Sequence, residues 1–542
     1  MDGFFRARAP SNEPVKGYAP GSSERKSIEA ELSRQAKEVI EIPCVVGGQE
    51  IRTGRTVDVT MPCDHGHVLA KAHLATPEVL VRAAEVASKA QRMWANTPWA
   101  ERASVFLKAG DLLAGPWRDR INASTMLGQA KTVHQAEIDS ACEIIDFWRF
   151  NAAFAEQLYG QQPVAGGGAW NRIDYRPLEG FIYAITPFNF TAIGANLPTA
   201  PALMGNTVVW KPAATASLSN YLVMKLLEEA GMPPGVINFV PGDAIMISDR
   251  LIADRSLAGI HFTGSTAVFQ SLWRETSNRL GEYATYPRLV GETGGKDFVL
   301  AHPSADGEAL ATALVRGAFE YQGQKCSAAS RAYIPQSLWP DVKKRVLEQI
   351  ATIRMGDVAD FRNFMGAVID GKSYSKLKGY LEQAKKDRGV TILAGGECDD
   401  RDGWFVQPTL IQVKDPKYRT MCEELFGPVL TVYVYPDKEW RSTLGLVNST
   451  SPYGLTGAVW ARDRAVLAEA DLALRHAAGN YYINDKPTGA VVGQQPFGGS
   501  RASGTNDKAG SIMNLMRWVS ARTIKETFVP PKDYRYPFMG AQ

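Results

Sequence analysis

Cysteine is scarce and scattered: six residues in 542, at positions 44, 63, 142, 326, 398 and 422, with no CxxC pair and no tight framework. That usage excludes a disulfide scaffold and points to a reducing compartment with free thiols. No apolar run is long enough to span a bilayer. The net charge of +3 is small for this length and no basic block occurs, so neither nucleic acid nor a membrane surface is expected as a partner. Metal ligands are equally thin. The run Cys63-Asp-His65-Gly-His67 has no second ligand cluster beside it, which favours a polar surface turn over a metal site. Internal repeats and low-complexity tracts are absent. The opening Met1–Pro10 lacks an apolar core of signal-peptide length and is short for a transit peptide. The expected location is therefore cytoplasmic, or the mitochondrial matrix for a eukaryotic source whose transit peptide is not part of this chain.

What is present is the composition of an ordinary globular protein, 45% hydrophobic and 22% charged, on a chain too long for one core. Two or three domains are expected. Residues 1 to about 40 read as a polar arm, closing with a charged helix from Ser22 to about Val39. Thr76-Pro77-Glu78 offers a cap, a proline at the first helical position and an early acid, and opens a helix with Val79, Leu80, Ala83, Ala84 and Ala87 on its apolar face. Gly166-Gly-Gly168, set among β-prone residues, reads as a hairpin or flap spanning 160–179. Beyond it, short apolar strands alternate with helices. The strands are Phe181–Ile185, Thr207–Trp210, Val236–Val240 and Ala258–Phe262, and Gly231 stops a helix that starts at about Ser217. This alternation predicts a doubly wound parallel α/β sheet. A second α/β unit is expected from about 298 to 500, with strands near Phe298–Leu300, Ala332–Ile334, Val429–Tyr433 and Gly457–Trp460. The β-prone tail after about 510, with Trp518 and Thr523–Phe528, suits pairing with a partner subunit or folding back on its own chain.

One cysteine stands apart from the rest. Cys326 lies in Phe319-Glu-Tyr-Gln-Gly-Gln-Lys-Cys-Ser-Ala, among polar and small residues, where the Lys325 cation would favour a thiolate. Against this, free cysteines are mostly core filler. Phe262-Thr-Gly264-Ser265-Thr266 ends a strand and opens a helix, which sets backbone N–H groups where a diphosphate could sit. It is not a GxGxxG fingerprint. Lys211, leaving the second strand at its carboxyl end, could donate to ribose hydroxyls or simply be a solvated lysine. Glu292, in the glycine-rich Leu289–Lys296 run between the two units, suits a general base; a helix cap or an interdomain ion pair accounts for it equally well. Asn189, between Phe188 and Phe190, could stabilise an oxyanion or be an ordinary turn residue.

Taken in order, Ile185-Thr-Pro-Phe-Asn189, Trp210-Lys-Pro212, Phe262-Thr-Gly-Ser-Thr266, Gly291-Glu-Thr-Gly-Gly-Lys296, Gly323-Gln-Lys-Cys326 and Glu423-Glu-Leu-Phe-Gly-Pro428 resemble the aldehyde dehydrogenase superfamily over roughly residues 45–530. Within it the likeness is nearest to the dehydrogenases of L-glutamate γ-semialdehyde, carried by Asn12-Glu-Pro-Val15, Lys325-Cys-Ser327, Asn484-Asp-Lys-Pro-Thr-Gly-Ala490, Gly493-Gln-Gln-Pro-Phe497-Gly-Gly and Ala502-Ser-Gly-Thr-Asn-Asp-Lys508.

The resemblance implies two doubly wound α/β domains, Rossmann-like NAD-binding and catalytic, with a small β oligomerisation element. The expected division is an arm and first part of the NAD-binding domain at 1–159, a flap at 160–179, the NAD-binding domain at 180–290, the catalytic domain at 291–505 and an oligomerisation tail at 506–542. It further implies Cys326 as nucleophile, Glu292 as the base that hydrolyses the thioester, and Asn189 with the Cys326 N–H as oxyanion donors. NAD would lie against Thr186, Pro187, Lys211, Gly264, Ser265, Thr266, Glu424 and Phe426. The substrate carboxylate would meet Ser327, Gly489 and Ala490, and Phe190 and Phe497 would line its chain. No metal is implied.

Two departures stand out. Lys211-Pro-Ala-Ala214 lacks the ribose-chelating Glu that many members carry after the Lys-Pro, and Ala490 replaces a serine found in some.

Other readings separate on particular residues. A fold-only, inactive protein is disfavoured by the joint presence of Cys326, Glu292 and Asn189. A nitrilase-type hydrolase has no use for Lys211 or Glu424, and a CoA-acylating dehydrogenase has none for Glu292. A dehydrogenase of another semialdehyde, such as succinate semialdehyde, is the remaining alternative. The arm before residue 45 leaves no room for a flavin-binding barrel of about 250 residues. Pyrroline-5-carboxylate is thus expected from a separate proline dehydrogenase or by diffusion, and a homodimer or higher homo-oligomer is expected.

Overall fold

The structure, a computed structural model, describes residues 6–540, so the first residues of the Met1–Pro10 stretch lie outside it. Two seven-stranded sheets organise it. The first runs, in spatial order, Arg288–Glu292, Leu257–Thr263, Phe181–Ile185, Thr207–Lys211, Ile237–Phe239, Cys44–Val46 and Gln49–Ile51. Its first five strands are parallel. Phe181–Ile185 and Thr207–Lys211 are buried at every position, as strands covered by helices on both faces must be. The last two strands form an antiparallel hairpin turned by Gly47 and Gly48, both at positive φ, a two-residue turn that only glycine makes without strain. That hairpin was not anticipated, although Val-Val-Gly-Gly-Gln is a recognisable signal for it.

The second sheet runs Val390–Ala394, Thr409–Val413, Val429–Tyr435, Ala329–Pro335, Asp297–Ala301, Thr456–Trp460 and Asn480–Ile483, parallel except for the antiparallel pairing of its first two strands. The expected boundary at 290/291 falls inside a strand: Arg288–Glu292 completes the first sheet, and Thr263 pairs with Glu292. Glu292 therefore ends a strand of the first unit instead of sitting in a turn between units.

The segment 160–179 is not a hairpin. Gly166–Gly168 supplies only a turn, and Ala169–Pro177 pairs antiparallel along its full length with Val519–Thr527 from the tail of the same chain. Arg172–Glu526 and Arg522–Asp174 ion pairs cross the ribbon at 2.9 and 2.7 Å. Its inner end is pinned by buried Trp518, whose ring lies 4.6 Å from that of His261 and whose carbonyl accepts from Asn206. The His65 stretch is also not a free turn. His65 belongs to the strand Asp64–His73, stacks on Trp404 and bonds to the Asp400 carbonyl. Among the described residues no group of metal-ligating side chains forms, and no helix is long and apolar enough to cross a membrane.

The arm departs most from its polar reading. The helix Ser23–Gln35 forms as expected, with Ser22 capping it. Upstream, Asn12–Tyr18 is stitched into the protein through charge. Arg118, 2% exposed, holds Glu13 at 2.6 Å and Glu137 at 2.5 Å and donates to the Pro14 carbonyl. The Tyr18 hydroxyl and the Lys16 N–H both donate to Glu137. Glu137 opens a π-helical stretch, Glu137–Glu143, that continues into the helix Ile144–Tyr159; this widened turn carries Glu137 and Asp139, both fully buried.

Removing Arg118 would leave the Glu137 carboxylate buried without its cation, which costs about 3–5 kcal/mol. Arg118→Ala is expected to lower the melting temperature by several degrees and to release the arm to proteolysis. An unchanged melting curve would show that the pair contributes nothing.

Candidate active site

Parallel strands bring their carboxyl ends to one level, and here four of them do so. Ile185 pairs with both Lys211 and Phe262, and Thr263 with Glu292. The residues that follow these strand ends are Thr186, Pro212, Gly264 and Thr293, so the edge where α/β sheets bind ligands carries the predicted cofactor residues.

The backbone and a few side chains form a cradle at this edge. Ser265 caps the helix Thr266–Asn278, leaving its first N–H groups directed outward at a positive helix end. Lys211 is 9% exposed, and burial lowers its pKa with the charge of Asp243 acting the other way, so it is a donor short of an acceptor. Glu424 accepts from the Gly295 N–H at 2.9 Å, and its other carboxylate oxygen lies where any side chain on Gly294 would project. Burial raises its pKa, with Lys376 and Lys296 opposing. The Phe426 ring meets that of Phe188 edge-on at 5.7 Å. These groups fit the ribose and diphosphate chemistry of NAD. Three predicted contacts are turned elsewhere. Thr186 accepts from Trp210 and its N–H donates to the Lys211 carbonyl, the Gly264 N–H donates to the Glu292 carbonyl, and the Thr266 hydroxyl is engaged by Thr293 and the Ala502 carbonyl.

Cys326 lies in the turn between the short helix Glu320–Gly323 and the strand Ala329–Pro335. Tyr321 and Gln322, just before it, hold left-handed φ values of 52° and 53°. Gln322 is locked there by bonds to the carbonyls of Ala130 and Ala367 and from the N–H of Gly366. The Asn189 amide donates to the Gln324 carbonyl at 3.1 Å, which ties the two loops and leaves its second N–H free.

The expected role of Lys325 does not hold. Its ammonium points away to Glu320, 3.1 Å off, and burial lowers its pKa to about 8. Cys326 gains no thiolate stabilisation from it. Burial pushes the thiol well above its ordinary value, and the charges of Asp297, Glu424 and Glu292 push the same way.

Glu292 is held by residues that sequence reasoning quoted but gave no role. The Gly499 N–H donates to Oε2 at 3.0 Å, and a side chain on Gly498 would lie 3.0 Å from Oε1. Burial raises Glu292 well above the usual carboxylate range, with the Gly499 N–H and Lys508 opposing. Lys508 in turn bonds the carbonyls of Gly479 and Gly498.

Toward the predicted substrate end, the Ser327 hydroxyl donates to Thr488 Oγ1 at 2.8 Å, joining the Cys326 turn to the loop that bears Gly489 and Ala490. Gly489 has φ +100°, so conformation as well as close approach demands glycine there. Phe497 is fixed by paired backbone bonds with Ala509. The Phe190 face carries the ammonium of fully buried Lys131 at 3.9 Å, and Lys131 pairs with buried Asp139 at 2.6 Å. Nearby Glu143 is raised to about 8 by burial and by Asp139. The Glu320–Lys486 contact at 3.5 Å had no sequence signal, since its partners lie far apart in the chain, and the Lys131–Asp139 pair, only eight residues apart, was not singled out. A cavity of about 1080 Å³ lies elsewhere, lined by Trp99, Tyr159, Tyr175 and Arg522 beside the ribbon.

Comparison with known proteins gives a consistent result. The sequence model of the aldehyde dehydrogenase family matches residues 50–524. The mitochondrial delta-1-pyrroline-5-carboxylate dehydrogenase of Dictyostelium discoideum is 53% identical, with 99% of this chain and 98% of that protein covered. That of Homo sapiens is 52% identical, covering 98% of this chain and 94% of that one. A crystal structure of the Mycobacterium tuberculosis delta-pyrroline-5-carboxylate dehydrogenase bound with NAD is 55% identical, covers 100% of both chains and superposes with a TM-score of 0.97.

The buried acid gives a pH signature. An unfolded chain ionises Glu292 near 4.5, whereas the folded one keeps the proton to higher pH. Its stabilising contribution is thus fully present below 4.5 and is lost as pH rises through the folded value. Glu292→Gln cannot lose it. The melting temperature of that variant should rise relative to the wild-type protein as pH increases from about 5. Parallel curves across that range would contradict the raised acid.

Proposed function

The chain belongs to the aldehyde dehydrogenase family, and on that premise we propose its reaction: NAD-dependent oxidation of L-glutamate γ-semialdehyde, the hydrolysed form of 1-pyrroline-5-carboxylate, to L-glutamate in proline catabolism. The observation that carries this substrate is the end-to-end likeness to 1-pyrroline-5-carboxylate dehydrogenases.

In the proposed course, Cys326 Sγ adds to the aldehyde carbon, and its proton passes toward the Glu292 carboxylate, which burial makes more basic than an ordinary one. The carbonyl oxygen becomes an oxyanion, met by the free Asn189 N–H and the Cys326 backbone N–H. Bound NAD supplies the acceptor for the hydride that leaves the same carbon, and Lys211, Glu424 and the start of the helix Thr266–Asn278 are the groups that would hold it. Glu292, returned to its carboxylate by loss of the proton to solvent, takes a proton from water as that water adds to the Cys326 thioester. The carbon–sulfur bond then breaks, releasing the carboxylate and restoring the thiol. Gly489 and Ala490 N–H groups fix the substrate's α-carboxylate, joined by the Ser327 hydroxyl once it turns from Thr488, and Phe190 and Phe497 flank its methylenes.

We assign a homodimer through the ribbon and tail, where Trp170, Phe528 and Val529 are 52%, 62% and 83% exposed. A cytoplasmic or mitochondrial-matrix location suits the free thiols, and a separate proline dehydrogenase would supply the pyrroline.

NAD reduction with pyrroline-5-carboxylate, succinate semialdehyde and propanal tests the reading; the highest kcat/KM is expected for the first, and preference for either other aldehyde would cancel the substrate. Cys326→Ala should abolish turnover while calorimetry still detects NAD binding; retained turnover would discard the nucleophile. In Glu292→Gln the first burst of NADH should be slowed less than the steady state, and equal slowing would remove Glu292 from deacylation.

A further inference from the structure

The loop that carries Gly489 and Ala490 belongs to neither sheet: residues 488–495 lie outside regular strand and helix. Backbone N–H groups can select a carboxylate only if the loop holds them in place, so its supports matter. Val492, 6% exposed, sinks into the core. Gly493 lies so close to Phe150, on the helix Ile144–Tyr159, that any side chain there would overlap the ring. The third support comes from the other end of the chain. Asn12 Nδ2 donates to the Val492 carbonyl and to Asp146 Oδ2, each at 2.8 Å, and its Oδ1 accepts from Gln494 Nε2 at 2.9 Å. One amide thus bridges the loop to Asp146, on the helix that bears Phe150. Asn12 is itself held fast. The Glu13 N–H donates to Asp146 Oδ1 at 2.7 Å, and Arg118 and Arg149 grip the Glu13 carboxylate at 2.6 and 2.7 Å.

We infer that Asn12 is a positioning residue for substrate selection: the N-terminal strap sets the Gly489 and Ala490 N–H groups and so confers preference for aldehydes that carry a carboxylate. This rests on the reading of Gly489 and Ala490 as the carboxylate site. Asn12 touches no reacting atom and acts only through the loop.

The test uses the full chain with Asn12→Ala, and Gln494→Ala as a milder variant that breaks one bond from the loop side. KM for pyrroline-5-carboxylate should rise about tenfold in Asn12→Ala, as expected for lost bonds to a loop, with kcat held within about twofold. For propanal, which has no carboxylate, kcat/KM should stay within about twofold of wild type. Gln494→Ala should show a smaller rise of the same kind, and it carries the test alone if Asn12→Ala does not fold. Asn12→Asp keeps an acceptor but sets a carboxylate against Asp146, and should be no better than alanine. Hydrogen exchange should quicken at 489–494 and not in the strand Phe181–Ile185. Equal losses for both aldehydes, or unchanged exchange in the loop, would overturn the inference. A wild-type protein with no preference for pyrroline-5-carboxylate would instead overturn the substrate reading, and loop exchange would still decide whether Asn12 holds the loop.

Discussion

Much of the site hangs on one buried carboxylate. Asp139 accepts from Lys131 Nζ and from the backbone N–H groups of Thr191 and Ala192, so it both neutralises a sequestered cation and caps the helix Thr191–Leu203 from outside. The residues immediately before that helix are Asn189 and Phe190, and Lys131 lies over the Phe190 and Tyr321 rings. Tyr321 begins the left-handed pair that leads into the Cys326 turn. A single acid on a widened helical turn therefore sets Asn189, Phe190 and the approach to Cys326 relative to one another. Its own place is fixed by the neighbouring Glu137–Arg118 pair, which is why the arm matters to a centre it never touches.

Desolvation is the common cause of the electrostatics. It raises Cys326, Glu292, Glu424 and Asp297, the last to about 8, and lowers Lys325 to about 8 and Lys296 to about 7. Burial makes each of these acids and bases harder to ionise, whereas the equally buried Glu137 and Asp139 each have a cation beside them.

Strand positions were legible where a continuous apolar run had polar or glycine punctuation, as at Phe181–Ile185 and Leu257–Thr263. Cys326, Glu292 and Asn189 drew notice because each stood in a run of unusual chemistry, and the fold sets them on neighbouring loops and strand ends. Pairing between distant segments was not legible. Nothing local in Gly166–Gly168 says that the partner of Ala169–Pro177 lies at Val519–Thr527, and a charged run such as Asn12–Lys16 looks solvated until Arg118 and Glu137 are seen beside it. Lys325 misled for the same reason: adjacency in sequence suggested contact with the sulfur, whereas the backbone turn sends the ammonium to Glu320.

The bonds from Asn12 to Val492 and Gln494 also bear on biosynthesis. Asp146 emerges from the ribosome early, but the carbonyl of Val492 follows Asn12 by 480 residues. At about 5–20 residues per second this is a wait on the order of tens of seconds to more than a minute. Throughout that interval the first folded part of the nascent chain must keep a polar amide satisfied by water in a groove shaped for a segment not yet made. The loop is thus among the last pieces to seat, and the strands of the first sheet, complete by Glu292, are made well before Asn12 can meet it.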